Sequence, residues 1–411
     1  MLIPVRDGAG ERLEQALTNL GADPVAGPVP FGRIDGLHFA RMVVIPPTPG
    51  LDSPPQLAFL LDCDSPARSR LRRIVALGGD ALDPVLECCE GYPEVGKRSQ
   101  SARYRYLRDH TRSTAAVYVN TIGRTVDQIH REEMLREELE CFLDSRSWVG
   151  QAPSSVQAAL REFAAGRSDL HWALSPAPKP GVFWRLRNKL HLAAGVVAGL
   201  VALPFVVLGA IPFAIQLRRL EKSDPAPRVI PDDEHVRALA AIEDLTLQNQ
   251  FTAYGQLKPG RFRRYLSIVL LIGINFGARH RFNQADLAGV KTIHAARWLF
   301  LDDKRRVVFC SNYDGSLENY MDDFIDKVAW GLNAVFSNGR EYPRTSWLIK
   351  GGAKDELAFK SYIRAHQVPS PVWYSAYPRL TAVNIENNAR IRAGLSAQFD
   401  EAEAARWLRR F

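Results

Sequence analysis

What the chain lacks narrows its chemistry first. It holds no glycine-rich phosphate loop, no nucleophile elbow, no zinc-ligand spacing and no GxGxxG turn, which disfavours kinases, α/β-type hydrolases and Rossmann dehydrogenases. Cysteine is scarce, five in 411 residues. An odd count without a CxxC pair, set among apolar neighbours, indicates reduced and mostly buried thiols, with Cys88-Cys89 in a structural role. Asp322, Asp323 and Asp326 lack the spacing of a calcium loop and read as a solvated helix face, so no metal site is expected. No secretory leader precedes Met1-Leu2-Ile3, where a strand is expected to begin at once. Nucleic-acid recognition motifs are missing too. The net charge of +8 is spread over 53 basic and 45 acidic residues, so no nucleic-acid partner is expected, and anionic lipid headgroups suit that charge better.

Long apolar runs are confined to one stretch, Leu192 to Ile215, which carries no charge over 24 residues. At about 1.5 Å per helical residue it is long enough to cross a bilayer. Arg185, Arg187 and Lys189 precede it and Arg218, Arg219 and Lys222 follow, so the positive-inside rule gives no orientation. Pro204 sits at the middle with Gly199 and Gly209 around it, a pattern that predicts a re-entrant hairpin or an interfacial dip, with a single span as the alternative. A second run, Leu266 to Ile274, is too short to span and reads as a buried core helix or an interfacial one.

What is present in abundance is repetition. Val5-Arg6-Asp7-Gly8 answers Leu257-Lys258-Pro259-Gly260, His38-Phe39-Ala40-Arg41 answers His294-Ala295-Ala296-Arg297, Asp64-Ser65 answers Asp314-Gly315-Ser316, and Gly91-Tyr92-Pro93 answers Glu341-Tyr342-Pro343, at offsets of 252, 256, 250 and 250. The drop from 256 to 250 falls in a turn, Pro46 to Pro55 against Asp302 to Arg305, where length changes cost least. In the second copy the patterns predict a strand over Asn249 to Leu257, a helix from Arg261 to Arg281, strands at Thr292 to Leu301 and Arg306 to Ser311, a helix from Leu317 to Phe336 capped by Ser316, and a fourth strand at Thr345 to Lys350. The first copy repeats this with strands near Leu2, Leu37, Leu57 and Ala115.

The fold expected is therefore α+β: two ferredoxin-like β-α-β-β-α-β repeats packed as an intrachain pseudo-dimer, with a membrane-inserting segment between them. In numbers, 1–150 is the first repeat, 151–190 a linker, 191–217 the membrane segment, 218–245 a linker, 246–380 the second repeat and 381–411 a C-terminal helix. Val372 to Tyr377 is expected to add a strand to the second repeat.

The element order and the Lys258-Pro259-Gly260 turn resemble the dimeric α/β-barrel superfamily, in which two ferredoxin-like sheets pack face to face. The HxAR, SNYDGS and Tyr-Pro motifs are similar to those of a group of bacterial membrane-associated proteins. The superfamily contains small-molecule monooxygenases and haem enzymes such as dye-decolourising peroxidases and chlorite dismutases. The resemblance implies a membrane-associated oxidoreductase, haem-dependent and peroxidase-like, acting on an apolar or lipid substrate. The alternative is a non-enzymatic membrane-anchored binding or scaffold protein, and the sequence leaves both open. In either case the soluble parts are expected on the cytoplasmic side.

Candidate residues follow from the repeat. His294, Arg297 and Asp314 are the catalytic candidates. His294, with His38 and Arg41, would hold the cofactor, His294 as axial ligand or general base. Regular strand alternation puts His294 and Arg297 on opposite faces, so they are not expected to share a pocket, and Arg297 could instead close an ion pair with Asp314 or Asp322. Asn312 and Tyr313, in a strand-to-helix turn, are the substrate-binding candidates, since backbone amides there can bind an anion; capping alone also accounts for the turn.

Overall fold

The computed structural model describes all residues except Pro49, Asp52, Ala226, Pro227 and Arg228. Parts of the loop Pro46 to Pro55 and of the 218–245 linker therefore lie outside the described residues.

The first half runs β1 (Leu2–Pro4), α1 (Gly10–Gly21), β2 (Leu37–Ile45), β3 (Gln56–Cys63), α2 (Ala67–Leu86), α3 (Gln100–Asp109), β4 (Ala116–Val119) and α4 (Val126–Asp144). Then come α5 (Pro153–Ala165), the long α6 (Val182–Ser223) and α7 (Asp233–Ala240). The second half repeats the series as β5 (Gln248–Gln256), α8 (Arg261–His280), β6 (Ile293–Leu301), β7 (Arg306–Asp314), α9 (Leu317–Phe336), a two-residue hairpin of β8 (Thr345–Ser346) and β9 (Lys350–Gly351), α10 (Glu356–His366), β10 (Val372–Ser375) and α11 (Ala382–Ser396), followed by α12 (Glu401–Leu408). The chain is thus a mixed α+β protein with small antiparallel sheets and one long apolar helix.

Likeness between the halves extends to detail. Both α2 and α9 break helical geometry once, at Gly78 (φ −135°) and Val328 (φ −139°), 250 positions apart. His110 and His366 each place Nδ1 at 2.8 Å from the carbonyl oxygen of the tyrosine four residues earlier, Tyr106 and Tyr362.

The sheets are not self-contained. One has the strand order β1-β3-β2-β10 and the other β4-β6-β7-β5, so each half hands its last long strand to the other's sheet. Ala116 pairs with Trp298 and Val372 with Met42, the same pairing with the halves exchanged. Three expectations are corrected here. The strand near Ala115 does not close its own sheet, and Val372–Ser375, expected as an addition to the second repeat, serves the first sheet. Thr345 to Lys350 is not a ladder strand, because Trp347 and Leu348 adopt left-handed backbone (φ 55° and 66°) and turn the chain into the hairpin.

The sheets face each other across a layer made of Leu2, Val43, Ile45 and Leu60 from one side and Leu299, Leu301, Val308 and Cys310 from the other. Helices cover the outer faces. The stretch expected as a 151–190 linker contains α5, which joins α4, α11 and α12 in a helical core around Leu139, Leu160, Leu395 and Trp407.

The apolar stretch is one continuous helix through Pro204 and Pro212, not a hairpin. A proline removes one hydrogen bond and kinks a helix, whereas a reversal would leave several backbone groups unpaired in hydrocarbon. The helix α6 is long and apolar enough to cross a membrane, yet both of its ends are fastened to the same body. Near its start Arg279 donates to Asn188 at 2.6 Å, and His191 and His280 meet at 2.9 Å. At its end the backbone N–H groups of Trp347 and Leu348 donate to Glu221 at 2.9 and 2.6 Å, and Asp224 pairs with Lys258 and Arg263 at 2.8 and 2.6 Å. Between these ends α6 runs antiparallel to α8, Phe213 against Phe262 and His191 against Phe276. Gly195 allows the approach, since a Cβ there would sit 2.2 Å from the Phe276 ring.

The histidine pair makes this docking sensitive to acid. Burial, then the neighbouring His191 and Arg279, lower the His280 pKa from its ordinary 6.5. Docking therefore favours neutral His280, is at full strength above that ordinary value and weakens as pH falls through the lowered one. A spin-label pair on Leu192 and Arg281 should show a broadened distance distribution on acidification to about pH 5. An unchanged distribution would remove the histidines from the contact's energetics.

Candidate functional site

The duplicated histidines lie on β-bulges. Pairing slips between Leu37 and Phe39 in β2 and between Ile293 and Ala295 in β6, leaving His38 and His294 as the extra residues. The slip corrects the alternation argument: His294 and Arg297 both face the space between the sheets. His294 Nε2 donates to Asp314 Oδ1 at 2.6 Å, and Asp314 Oδ2 accepts the backbone N–H of Ala382 at 2.7 Å. In the first half His38 Nε2 bonds Asp64 Oδ1 at 3.2 Å and Asp64 Oδ2 accepts from Val126 at 3.3 Å. Val126 and Ala382 begin the helices that follow the exchanged strands, where a carboxylate also meets the helix dipole. Each His–Asp pair fixes one exchanged segment to the sheet it has just left behind.

The arginines cross in opposite directions. Arg41 donates to Phe251 O (2.6 Å), Thr252 Oγ1 (2.7 Å), Ser311 O (2.7 Å) and Asn312 Oδ1 (2.6 Å), all in the other sheet. Arg297 reaches back to Leu61 O at 3.2 Å and to the Asp62 carboxylate; its partner is neither Asp314 nor Asp322. Burial lowers the pKa of Arg41, and the four acceptors offset part of that desolvation.

The remaining candidates are taken up by structure. Asn312 Oδ1 also accepts from Trp373 Nε1 at 3.0 Å. Tyr313 points to the helix side and stacks on Tyr320 at 4.1 Å, so Asn312 and Tyr313 cannot hold one substrate. Gly315 makes the turn at φ 79°, and Ser316 caps α9 through the Asn319 N–H. The space beside Arg41 and Arg297 is about 10 Å³, too small for a haem. His38 is engaged at both nitrogens, Nδ1 with the Tyr377 hydroxyl at 2.9 Å, and His294 Nε2 is bonded to Asp314. These residues do not fit an axial ligand set. Among the described residues no His/Cys/Asp/Glu cluster is arranged to hold a metal. The thiols are unpaired, and burial pushes Cys63 to about 11 and Cys89 to about 12, which makes both poor nucleophiles.

The open space lies elsewhere, on the outer face of the second sheet. A cavity of about 460 Å³ sits between that sheet and α8, α9 and α10, over a floor that includes Tyr118, Ala253, Gly255, Ala296 and Trp298, within the range of small-molecule sites. No Asp, Glu, Lys or Arg is among the described residues that line it. His366 does line it, held neutral at neutral pH because burial lowers its pKa. Small residues leave the room. Gly255 pairs with Val307 where, in the first half, Ile3 pairs with Leu57 and is wholly buried.

The mouth faces α6. Val269 and Gly273 line the cavity, and at helical spacing they share a stripe of α8 with Phe262, Phe276 and His280, the residues that touch α6. Val269 is 63% exposed and Trp330, across the opening on α9, 56%.

No family model, no curated protein and no solved structure matches the chain. The geometry alone carries the functional reading.

Proposed function

We propose that the protein is a membrane-associated binding protein that takes an apolar molecule from the bilayer into the cavity beneath α8 and α9. The observation that carries this is an apolar cavity of about 460 Å³ whose lining includes Val269 and Gly273, on the stripe of α8 that meets the long apolar helix. Most side chains of α6 are exposed, among them Leu200 (64%), Phe205 (72%) and Leu208 (78%), as are Val269 and Ile272 of α8. An apolar surface of this extent calls for hydrocarbon around it. With both ends of α6 held by one body, the helix lies lengthwise in the membrane face, and the basic residues at its two ends meet anionic headgroups. Free thiols fit a body on the cytoplasmic side.

Binding is preferred to oxidoreductase chemistry because the histidines and arginines on which the latter rested are bonded within the sheet interface, on the opposite face of the second sheet from the cavity. The test is photolabelling in vesicles of mixed neutral and anionic phospholipid, using a long-chain alcohol that carries a diazirine. Adducts on β6 and α9, near Trp298, Phe324 and Val335, that excess unlabelled alcohol removes are expected. Adducts confined to the outward side of α6, as for any lipid neighbour, would overturn the reading.

A further inference from the structure

Two polar atoms stand out in the apolar lining. The Tyr118 hydroxyl and the Trp298 indole N–H are buried without a hydrogen-bond partner among the described residues, in residues only 1% and 7% exposed. Both residues line the cavity. They come from different halves, Tyr118 on the exchanged strand β4 and Trp298 on β6. The register pairs Tyr118 with Ala296 and Ala116 with Trp298, which makes them diagonal neighbours on one face with Cβ atoms about 7 Å apart. An orphaned buried donor costs free energy that folding does not recover. Two of them, on residues that line one cavity large enough for a ligand, mark where a ligand's polar atom belongs.

Resting on the binding reading above, we infer that the ligand is an uncharged long-chain amphiphile, an alcohol, ketone or ester, bound head first with its oxygen accepting from both Tyr118 and Trp298. Indole can only donate and a phenol can donate, so the complementary group is an acceptor oxygen. Its charge follows from the lining: with no Lys or Arg there, a buried carboxylate or phosphate would stay uncompensated. The tail is left to the apolar walls of α8 and α9. The strand exchange thereby completes the site, because Tyr118 reaches the second sheet only through β4.

The test is competition against the photolabel by three unlabelled compounds of equal chain length, an alcohol, a carboxylate at neutral pH and an alkane. In the wild-type protein the alcohol should compete about tenfold better than the alkane, and the carboxylate no better than the alkane. In Tyr118→Phe the advantage of the alcohol over the alkane should shrink severalfold, and in Tyr118→Phe with Trp298→Phe it should vanish. Tyr118→Phe removes a hydroxyl that has no hydrogen-bond partner among the described residues, so its thermal midpoint should be no lower than wild type and a loss of selectivity cannot be put down to misfolding. Equal competition by all three compounds, or a winning carboxylate, would overturn this inference and leave the binding reading standing. If no competitor displaces the label, the binding reading itself fails.

Discussion

Replacing Arg41 by alanine is expected to cost about 3–5 kcal/mol of folding stability, the range for removing one member of a buried charged network. The reason is the number of partners left behind. Two backbone carbonyls, a hydroxyl and an amide oxygen lose a donor in a place where Arg41 itself is only 3% exposed; Asn312 Oδ1 keeps Trp373 Nε1, and each group left without a donor carries a penalty of about 1–3 kcal/mol, partly relieved by relaxation. Lysine should recover little, because a single ammonium cannot present the planar fork that reaches four acceptors. Arg297→Ala serves as the contrast. Its side chain is 14% exposed and Asp62 is 21% exposed, so the stranded carboxylate gains water and the loss should be smaller. Chemical denaturation in detergent measures both. A change below about 1 kcal/mol for Arg41→Ala would mean that the sheets are not held together through this residue.

The second large effect has the opposite sign for stability. Gly331 lies inside α9 and lines the cavity; a Cβ there would make only an ordinary 3.9 Å contact with Val328. Gly331→Leu should therefore fit, relieve the helix of a glycine that costs about 0.5–1 kcal/mol, and fill the space the ligand needs. The expected result is a protein at least as stable as wild type whose specific photolabelling falls by about tenfold or more. Gly273→Leu, at the mouth, where nothing lies within 4 Å of the added Cβ, should slow entry. Retained labelling in a stable Gly331→Leu protein would show that the cavity is not where the probe sits.

Much of the architecture was legible in the residues. The offsets of 252 to 256 and then 250 placed the strands, the long helices and the Ser316 cap close to where they lie, because hydrophobic period and capping are local signals. Partner choice is not local. Ala116–Val119 is four apolar residues long and would suit either sheet, so nothing in it announces the exchange. The bulges were hidden for a similar reason: His38 and His294 look like ordinary strand residues until pairing shows one residue too many, and alternation then assigns the wrong faces. His294, Arg297, Asp314, His38, Arg41 and Asn312 lie between the sheets, bonded to one another's surroundings rather than around a space. The cavity too has a signal in the sequence. Gly255 stands opposite Ile3 in the repeat, and Gly273 and Gly331 sit in helix interiors where glycine is costly.

The account turns on α6 lying along the body so that the cavity opens to hydrocarbon. Single cysteines at Ser175 and Ser223, which flank the helix and are exposed, introduced into a Cys141→Ser protein in sealed vesicles, would be tested with a membrane-impermeant maleimide. The account predicts that both sites react from the same side. Reaction from opposite sides would mean that α6 crosses the bilayer, parts from α8, and leaves the cavity without access to lipid.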